Sequence, residues 1–120
     1  MAGFEQEVAG LPGRYKMLLL GFVDGAALGC AALRALEGDA CEMKRLYVRP
    51  AARGTGLGRR LAEALIGEAR ALGFWRMRLD TLPSMAAAHR LYRSLGFREI
   101  ESYYEGAPAE ALFFERNLEL

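Results

Sequence analysis

The stretch Arg53-Gly54-Thr55-Gly56-Leu57-Gly58 constrains this chain more than any other, because one periodicity gives way to another there. From residue 41 the side chains alternate: Cys41, Met43, Arg45 and Tyr47 share one face of a strand, and Glu42, Lys44, Leu46 and Val48 share the other. Pro50 ends that pattern. From Leu57 onward, Leu61, Ala64, Leu65, Ala69 and Leu72 recur at helical spacing, with Gly73 as the stop. A glycine-rich passage from strand into helix lets the backbone approach a ligand, and the helix's first amides and its dipole favour an anion there. The junction reads as a phosphate cradle or as a plain glycine-containing loop, and the surrounding residues must decide. A dinucleotide fingerprint would need a third glycine where Arg59 stands. A P-loop would need Gly-Lys-Ser/Thr where the chain has Gly58-Arg59-Arg60.

The rest of the chain frames this junction. Residues 17–23 are an apolar run, Asp24-Gly25 is a two-residue hairpin signal, and residues 26–36 continue as a small-residue strand up to the Glu37-Gly38-Asp39 turn. With 41–48 this predicts three antiparallel strands in sequence. In 75–82, Trp75, Met77 and Leu79 alternate with Arg76, Arg78 and Asp80, the pattern of a strand. A strand, crossover helix and strand give a right-handed parallel pair. Pro83-Ser84 opens a second helix with the stripe Met85, Ala88, Tyr92 and Leu95, closed by Gly96. Residues 97–104 and 111–118 read as closing strands joined through Gly106 and Pro108, and residues 4–8 have weak helical character. The expected fold class is α/β: a mixed, mostly antiparallel sheet with helices packed on it. A chain of 120 residues builds one core, so 1–120 is read as a single domain in which 1–16 precede the first strand.

Charge and cysteine usage narrow the partners. Sixteen Lys and Arg against 15 Asp and Glu leave a formal charge of +1, which provides no general field for nucleic acid or an acidic membrane, so a small or local partner is expected. Cys30 and Cys41 with one His give no metal-ligand spacing; both cysteines read as reduced core residues, able to face each other across adjacent strands. No apolar run reaches the ~18 residues of a membrane span, and a cytoplasmic protein is the default expectation.

With the element order in place, two motifs together resemble the GCN5-related N-acetyltransferase (GNAT) family. Arg53-x-x-Gly56-x-Gly58 is similar to its pyrophosphate loop, and Leu91-Tyr92-x-x-Leu95-Gly96-Phe97 is similar to the helix end that follows one helix later. The similarity runs from about residue 17 to the C-terminus. It implies a sheet splayed open between the strands at 41–48 and 75–82, with acetyl-CoA in the V and no metal. It implies that the backbones of Leu46, Tyr47 and Val48 pair with the pantetheine arm. Arg53, Gly54, Thr55, Gly56, Leu57, Gly58 and Arg59 would hold the pyrophosphate, with Arg53 and Arg59 as added charge or as solvated helix-start residues.

The resemblance also implies a chemistry. An alkylamine of pKa ~10.4 is almost wholly protonated at pH 7, and its deprotonation costs roughly 4–5 kcal/mol, which a nearby carboxylate offsets. Glu42 is the candidate base; the competing reading is a strand-surface carboxylate paired with Lys44 or Arg78. A backbone N–H of Leu46 or Tyr47 would stabilise the oxyanion. Tyr92 matches the tyrosine that protonates the departing thiolate, and it also completes the apolar stripe of its own helix. Met85 stands where many relatives have an asparagine, leaving Ser84 as the substitute contact. The N-terminal elements that usually wall the acceptor site are reduced to a remnant in 1–16, which makes a homodimer attractive. Tyr103, Tyr104, Phe113 and Phe114 are expected in the acceptor pocket, at that interface, or as ordinary strand residues. The expected function is transfer of acetyl from acetyl-CoA to the primary amine of a small-molecule or peptide acceptor. The alternative is a non-catalytic CoA-binding module.

Overall fold

Strands β1 (Ala2–Glu7), β2 (Tyr15–Val23), β3 (Ala26–Ala35) and β4 (Ala40–Val48) lead through a short 3-10 turn at Pro50–Ala52 into helix α1 (Leu57–Ala71). Strand β5 (Arg76–Thr81), helix α2 (Ala86–Ser94), β6 (Arg98–Ile100) and β7 (Leu112–Asn117) complete the order. The computed structural model describes residues 2–7 and 15–118, and its seven strands form one sheet in the order β1-β2-β3-β4-β5-β7-β6. Every neighbouring pair is antiparallel except β4 and β5.

The parallel pair is short. It matches Ala40 with Arg76, Cys41 with Met77 and Glu42 with Arg78, and then stops, although β4 continues to Val48 and β5 stays paired with β7 as far as Thr81–Leu112. The sheet therefore splays between β4 and β5, as the resemblance implied. Beyond Glu42 the β4 edge that faces β5 has no neighbouring strand among the described residues.

Both helices contribute to one apolar cluster. Leu57, Leu61, Leu65 and Ala69 of α1 and Tyr92 of α2 meet Met17, Leu19, Leu33, Met43, Leu79 and Phe114 of the sheet. Of the stripe predicted for α1, Leu57, Leu61, Leu65 and Ala69 are buried and Ala64 half-buried, Ala62 and Ile66 are buried beside them, and Leu72 is exposed at the helix end; Trp75, which the alternation grouped with Met77 and Leu79, is exposed too. The opposite face of the sheet carries Arg34, Glu42, Lys44, Arg78 and Asp80, and among the described residues no helix covers it.

Helix α1 sits close to the sheet because glycines lie beneath it. A Cβ on Gly29 would stand 2.8 Å from Leu61 Cδ1, 3.0 Å from the Tyr47 carbonyl oxygen and 3.2 Å from Leu57 Cδ2; one on Gly21 would meet Leu57 Cδ1 at 2.9 Å. These strand positions form the notch that seats the start of α1.

The structure corrects four expectations. Residues 2–7 are a strand, in register from Ala2–Val23 to Glu7–Leu18, where weak helical character was read; pairing with the β2 edge satisfies backbone groups in a way that overrides weak local propensity. Val8 lies outside the described residues. The strand expected over 97–104 is confined to Arg98–Ile100, because residues 101–104 turn out of the sheet. Cys30 is opposite Tyr47 and Cys41 opposite Ala35, so the two thiols do not face each other. Finally, the alternation along β4 does not run unbroken. Arg45 takes a left-handed conformation (φ 56°) at a bulge opposite Ala31, its carbonyl accepting from the Cys30 thiol at 3.2 Å and its Nε donating to the Tyr15 hydroxyl at 2.9 Å. One extra residue reverses the phase. Cys41 and Met43 therefore lie on the same helix-covered face as Leu46 and Val48, while Tyr47 is exposed.

Candidate functional site

The bulge and the splay together open a cavity of about 580 Å³ on the helix side of the V. Leu46, Tyr47 and Val48 form one wall, the loop from Ala52 to Arg59 the floor, and Met85, Ala88, Leu91 and Tyr92 of the α2 segment the other wall. That volume is in the range of small-molecule and cofactor clefts, and the lining is mainly apolar with polar groups at one end.

The polar end is the start of α1. Gly56 is its N-cap, with φ 84°, a conformation that disfavours any residue with a Cβ, and no side chain caps the helix. The Gly56 carbonyl takes the Arg60 amide at 3.1 Å. Turn hydrogen bonds use the amides of Arg53 and Thr55, whose acceptors are the Pro50 and Ala52 carbonyls, each at 3.2 Å. The Thr55 hydroxyl closes the same turn by donating to the Ala52 carbonyl at 2.5 Å and accepts weakly from the Leu57 amide at 3.4 Å. The first-turn amides of Gly58 and Arg59 lack intrahelical acceptors and point out of the helix end, as anion cradles require.

The predicted binding residues thus divide. Leu46, Tyr47, Val48, Arg53, Gly54, Gly56, Leu57, Gly58 and Arg59 come together around the cavity. Thr55 supports the turn from behind, and Ser84 sits in the exposed turn before α2, with Met85 taking the place on the wall. Arg53 Nε donates to the Val48 carbonyl at 3.2 Å, and Arg59 reaches Ser94 Oγ at 2.5 Å and Glu63 at 3.6 Å. The arginines are therefore braced by protein contacts at the cavity rim. Ala88 was read only as part of a core stripe, Leu91 only within the helix-end motif, and Met85 in the stripe and at the place of an asparagine contact; their placement on a helix facing the glycine loop was the signal available for a cavity wall.

Tyr92 is 7% exposed, packed by Phe97 and Phe114 at 5.9 and 6.1 Å between ring centroids, and still part of the cavity wall. Burial, with Asp80's charge second, pushes its phenol up to about 12. It is both a core tyrosine and a protonated hydroxyl beside the cavity.

On the open face the groups differ in kind. Glu42 is fully buried and does not line the cavity. Tyr103 donates to its Oε2 at 2.5 Å, Lys44 Nζ stands 3.8 Å from the same oxygen, and Arg34 Nη2 lies 2.8 Å from Oε1, an ion pair outside hydrogen-bonding alignment. Burial first, then Glu42, hold the Tyr103 phenol far above its ordinary range. Asp80 accepts from Lys44 Nζ at 3.1 Å and from the Tyr104 hydroxyl. Burial pushes Asp80 upward, but Tyr104 and Lys44 together outweigh it and hold the carboxyl below the usual range. Tyr103, Tyr104 and Phe113 meet edge to face, each pair 5.4 Å between centroids, with the Arg78 guanidinium 5.6 Å from the Tyr103 ring. Residues 101–104 leave the sheet to bring these tyrosines over the point where β4 and β5 part.

A depressed folded pKa means that Asp80's contribution to stability is fully present above the ordinary value of about 3.9 and is lost as the pH falls through the folded value. In thermal melts from pH 6 to pH 2, the gap in melting temperature between the parent and Asp80→Asn is expected to narrow as the pH falls. A constant gap would contradict the carboxylate's part.

Comparison with known proteins agrees with this geometry. The pattern described as the acetyltransferase (GNAT) family matches residues 4–97. An N-acetyltransferase of Schizosaccharomyces pombe is 49% identical over 81 residues, which is 67% of this chain and 50% of that protein. A solved Klebsiella pneumoniae protein described as an acyl-CoA N-acyltransferase superposes with a TM-score of 0.78 at 33% identity, covering 86% of this chain and 72% of that one. A Salmonella typhimurium protein described as an acetyltransferase, solved with its cofactor acetyl-CoA, gives 0.74 at 31% identity, covering 88% and 66%. The chain spans half the length of the curated Schizosaccharomyces relative. A match over residues 4–97, joined to a splayed sheet with a glycine cradle at its helix entry, shows that the chain belongs to the acetyltransferase (GNAT) family.

Proposed function

We propose that this chain transfers acetyl from acetyl-CoA to a primary amine by direct attack, with no covalent enzyme intermediate. The observation that carries this reading is one cavity that runs from the uncapped start of α1 along Leu46–Val48, the part of β4 beyond its last pair with β5, to Tyr92. Acetyl-CoA needs a phosphate seat, an extended slot for its arm and an opening to a second substrate, and the residues present fit all three needs. The relative solved with acetyl-CoA supports the same choice. When bound, the thioester supplies the activated acyl group. The first-turn amides of Gly58 and Arg59 would hold the pyrophosphate, and the β4 edge at Leu46–Val48, which pairs with no described strand on its β5 side, would pair with the arm.

The amine arrives protonated and must lose a proton before its nitrogen can attack. Asp80, 22% exposed where the strands part, is the carboxylate the amine would meet; held below the usual range, it anchors the amine while water carries the proton away, and Glu42 is shielded beneath the hydroxyl of Tyr103. As the C–N bond forms and the C–S bond breaks, the thiolate takes up a proton. Tyr92 is suited to hydrogen-bond that sulfur. Full proton transfer from a phenol near 12 to a thiolate near 8.5 is uphill by roughly 5 kcal/mol, so Tyr92 stabilises the leaving group mainly as a donor and regains any proton from solvent.

General acids typically contribute 10²–10⁴ in rate, and this uphill transfer puts Tyr92 at or below the low end. Tyr92→Phe is therefore expected to lower kcat by about ten- to a hundredfold with acetyl-CoA affinity unchanged. Release of free thiol from acetyl-CoA in the presence of a panel of primary amines tests the reading. Amine-dependent release matched by N-acetyl product supports it, whereas binding of acetyl-CoA without amine-dependent release would favour the CoA-binding module.

A further inference from the structure

The open-face end of the V carries more than an anchor for an amine. Lys44 and Asp80 are the first charged side chains beyond the last shared β4–β5 pair, Glu42–Arg78, and their ion pair at 3.1 Å spans the gap the splay creates. Both remain accessible, at 30% and 22% side-chain exposure, although neighbouring groups hold them in place. Asp80 is fixed by the Tyr104 hydroxyl, and Lys44 is drawn inward by the buried Glu42, itself engaged by Arg34 and Tyr103. A carboxylate and an ammonium are thus presented side by side at the opening opposite the cradle. Tyr104, which fixes Asp80, is also one wall of a hollow of about 440 Å³ under the β6–β7 connection.

An ion pair in this position discriminates by charge pattern. A simple alkylamine that binds Asp80 displaces the Lys44 ammonium, leaves it without its nearest partner and places two cations together. A molecule bearing an ammonium and a carboxylate one carbon apart replaces one ion pair by two. We propose that the acceptor is an α-amino acid, its ammonium held by Asp80 and its carboxylate by Lys44, at the open-face end of the gap between β4 and β5. The inference rests on the acetyltransferase reading above and specifies its second substrate. Asp80 then holds the ammonium, whose proton passes to water before the nitrogen attacks, while Lys44 selects. Tyr104 positions Asp80.

The experiment compares α-amino acids with their decarboxylated amines as acceptors, in the parent and in Lys44→Met, Lys44→Arg and Asp80→Asn. The expected parent preference for the amino acid is about tenfold or more in kcat/KM, as when a polar group loses the partner its site is built for. Lys44→Met is expected to erase that preference by raising KM for the amino acid while leaving the matched amine nearly unchanged, and Lys44→Arg to retain it. Asp80→Asn lowers turnover of both. The acetyl-CoA-dependent melting shift of each variant, equal to the parent's, shows that the variants fold. Equal use of amines with and without a carboxylate, or equal damage to both by Lys44→Met, overturns the inference and leaves the acetyltransferase reading standing. An acetyl-CoA shift with no panel member acetylated also overturns it. Absence of the shift in the parent overturns both.

Discussion

Replacing Gly58 by glutamate is expected to abolish acetyl-CoA binding while leaving the fold intact or slightly more stable. Gly58 lies in the first turn of α1, and a Cβ there would meet Val48 Cγ2 at 3.5 Å and Leu91 Cδ2 at 4.0 Å, ordinary contacts with two cavity walls. A side chain at this position enters the cavity without straining the backbone. Gly-to-non-Gly changes inside helices gain roughly 0.5–1 kcal/mol, and an acidic residue in a first turn adds a few tenths through the helix dipole. The same carboxylate fills the anion seat and repels what should sit there. Two like charges about 4 Å apart at a partly exposed site repel by about 4 kcal/mol. Affinity by calorimetric titration should fall at least a hundredfold, roughly 2.7 kcal/mol, with the melting temperature held or raised. Retained affinity would place the phosphates elsewhere.

The second large effect is on stability. Gly29→Val is expected to destabilise the chain by about 3 kcal/mol, at the upper end of overpacking costs. The cause is the contact with the Tyr47 carbonyl at 3.0 Å, since backbone in the middle of a sheet does not yield as the tip of Leu61 does. Valine favours strands, so propensity alone predicts the opposite sign. Helix α1 must lift from its notch, which carries the cradle away from β4 and weakens acetyl-CoA binding as well. Gly67→Ala is the control. Gly67 is exposed on the same helix with nothing within 4 Å of an added Cβ, and alanine there should stabilise by about 0.8 kcal/mol. Chemical denaturation of the two variants against the parent reads both values.

Much of this was legible because local signals agreed with the tertiary result. The α1 stripe, Gly73 as the stop, the Asp24-Gly25 turn and the parallel β4–β5 pair each follow from a short-range rule that packing did not override. The glycine loop was recognisable since its positive φ at Gly56 demands the residue that stands there. Other features had no local signature. The bulge at Arg45 places a non-glycine residue at positive φ, held by Tyr15 and Cys30 from other strands, so a strict alternation misassigned Leu46 and Val48. The β1 strand depends on an edge supplied by β2.

The open-face cluster was half visible. Glu42 with Lys44, and Arg78 with Asp80, were each placed on one face of their strand, and a parallel pairing sets those faces side by side. What the sequence withheld was depth. Glu42 looked like a surface or site carboxylate until Tyr103 and Arg34 closed over it, and Asp80 carried no distinguishing mark until the strands were seen to part beside it. The reach of Tyr103 and Tyr104 from the β6–β7 connection is a long-range event that strand periodicity over 97–104 concealed.

The measurement that bears most directly on the account is a thermal melt of the chain with and without excess acetyl-CoA. At about a hundredfold over Kd, binding to the folded state adds roughly 2.7 kcal/mol, which raises the melting temperature by on the order of ten degrees for a domain of this size. The account predicts that rise, and its loss in Gly58→Glu. A cooperative melt that acetyl-CoA leaves unmoved would show that the cavity between β4 and β5 does not hold the cofactor, and the proposed acetyl transfer would fall with it.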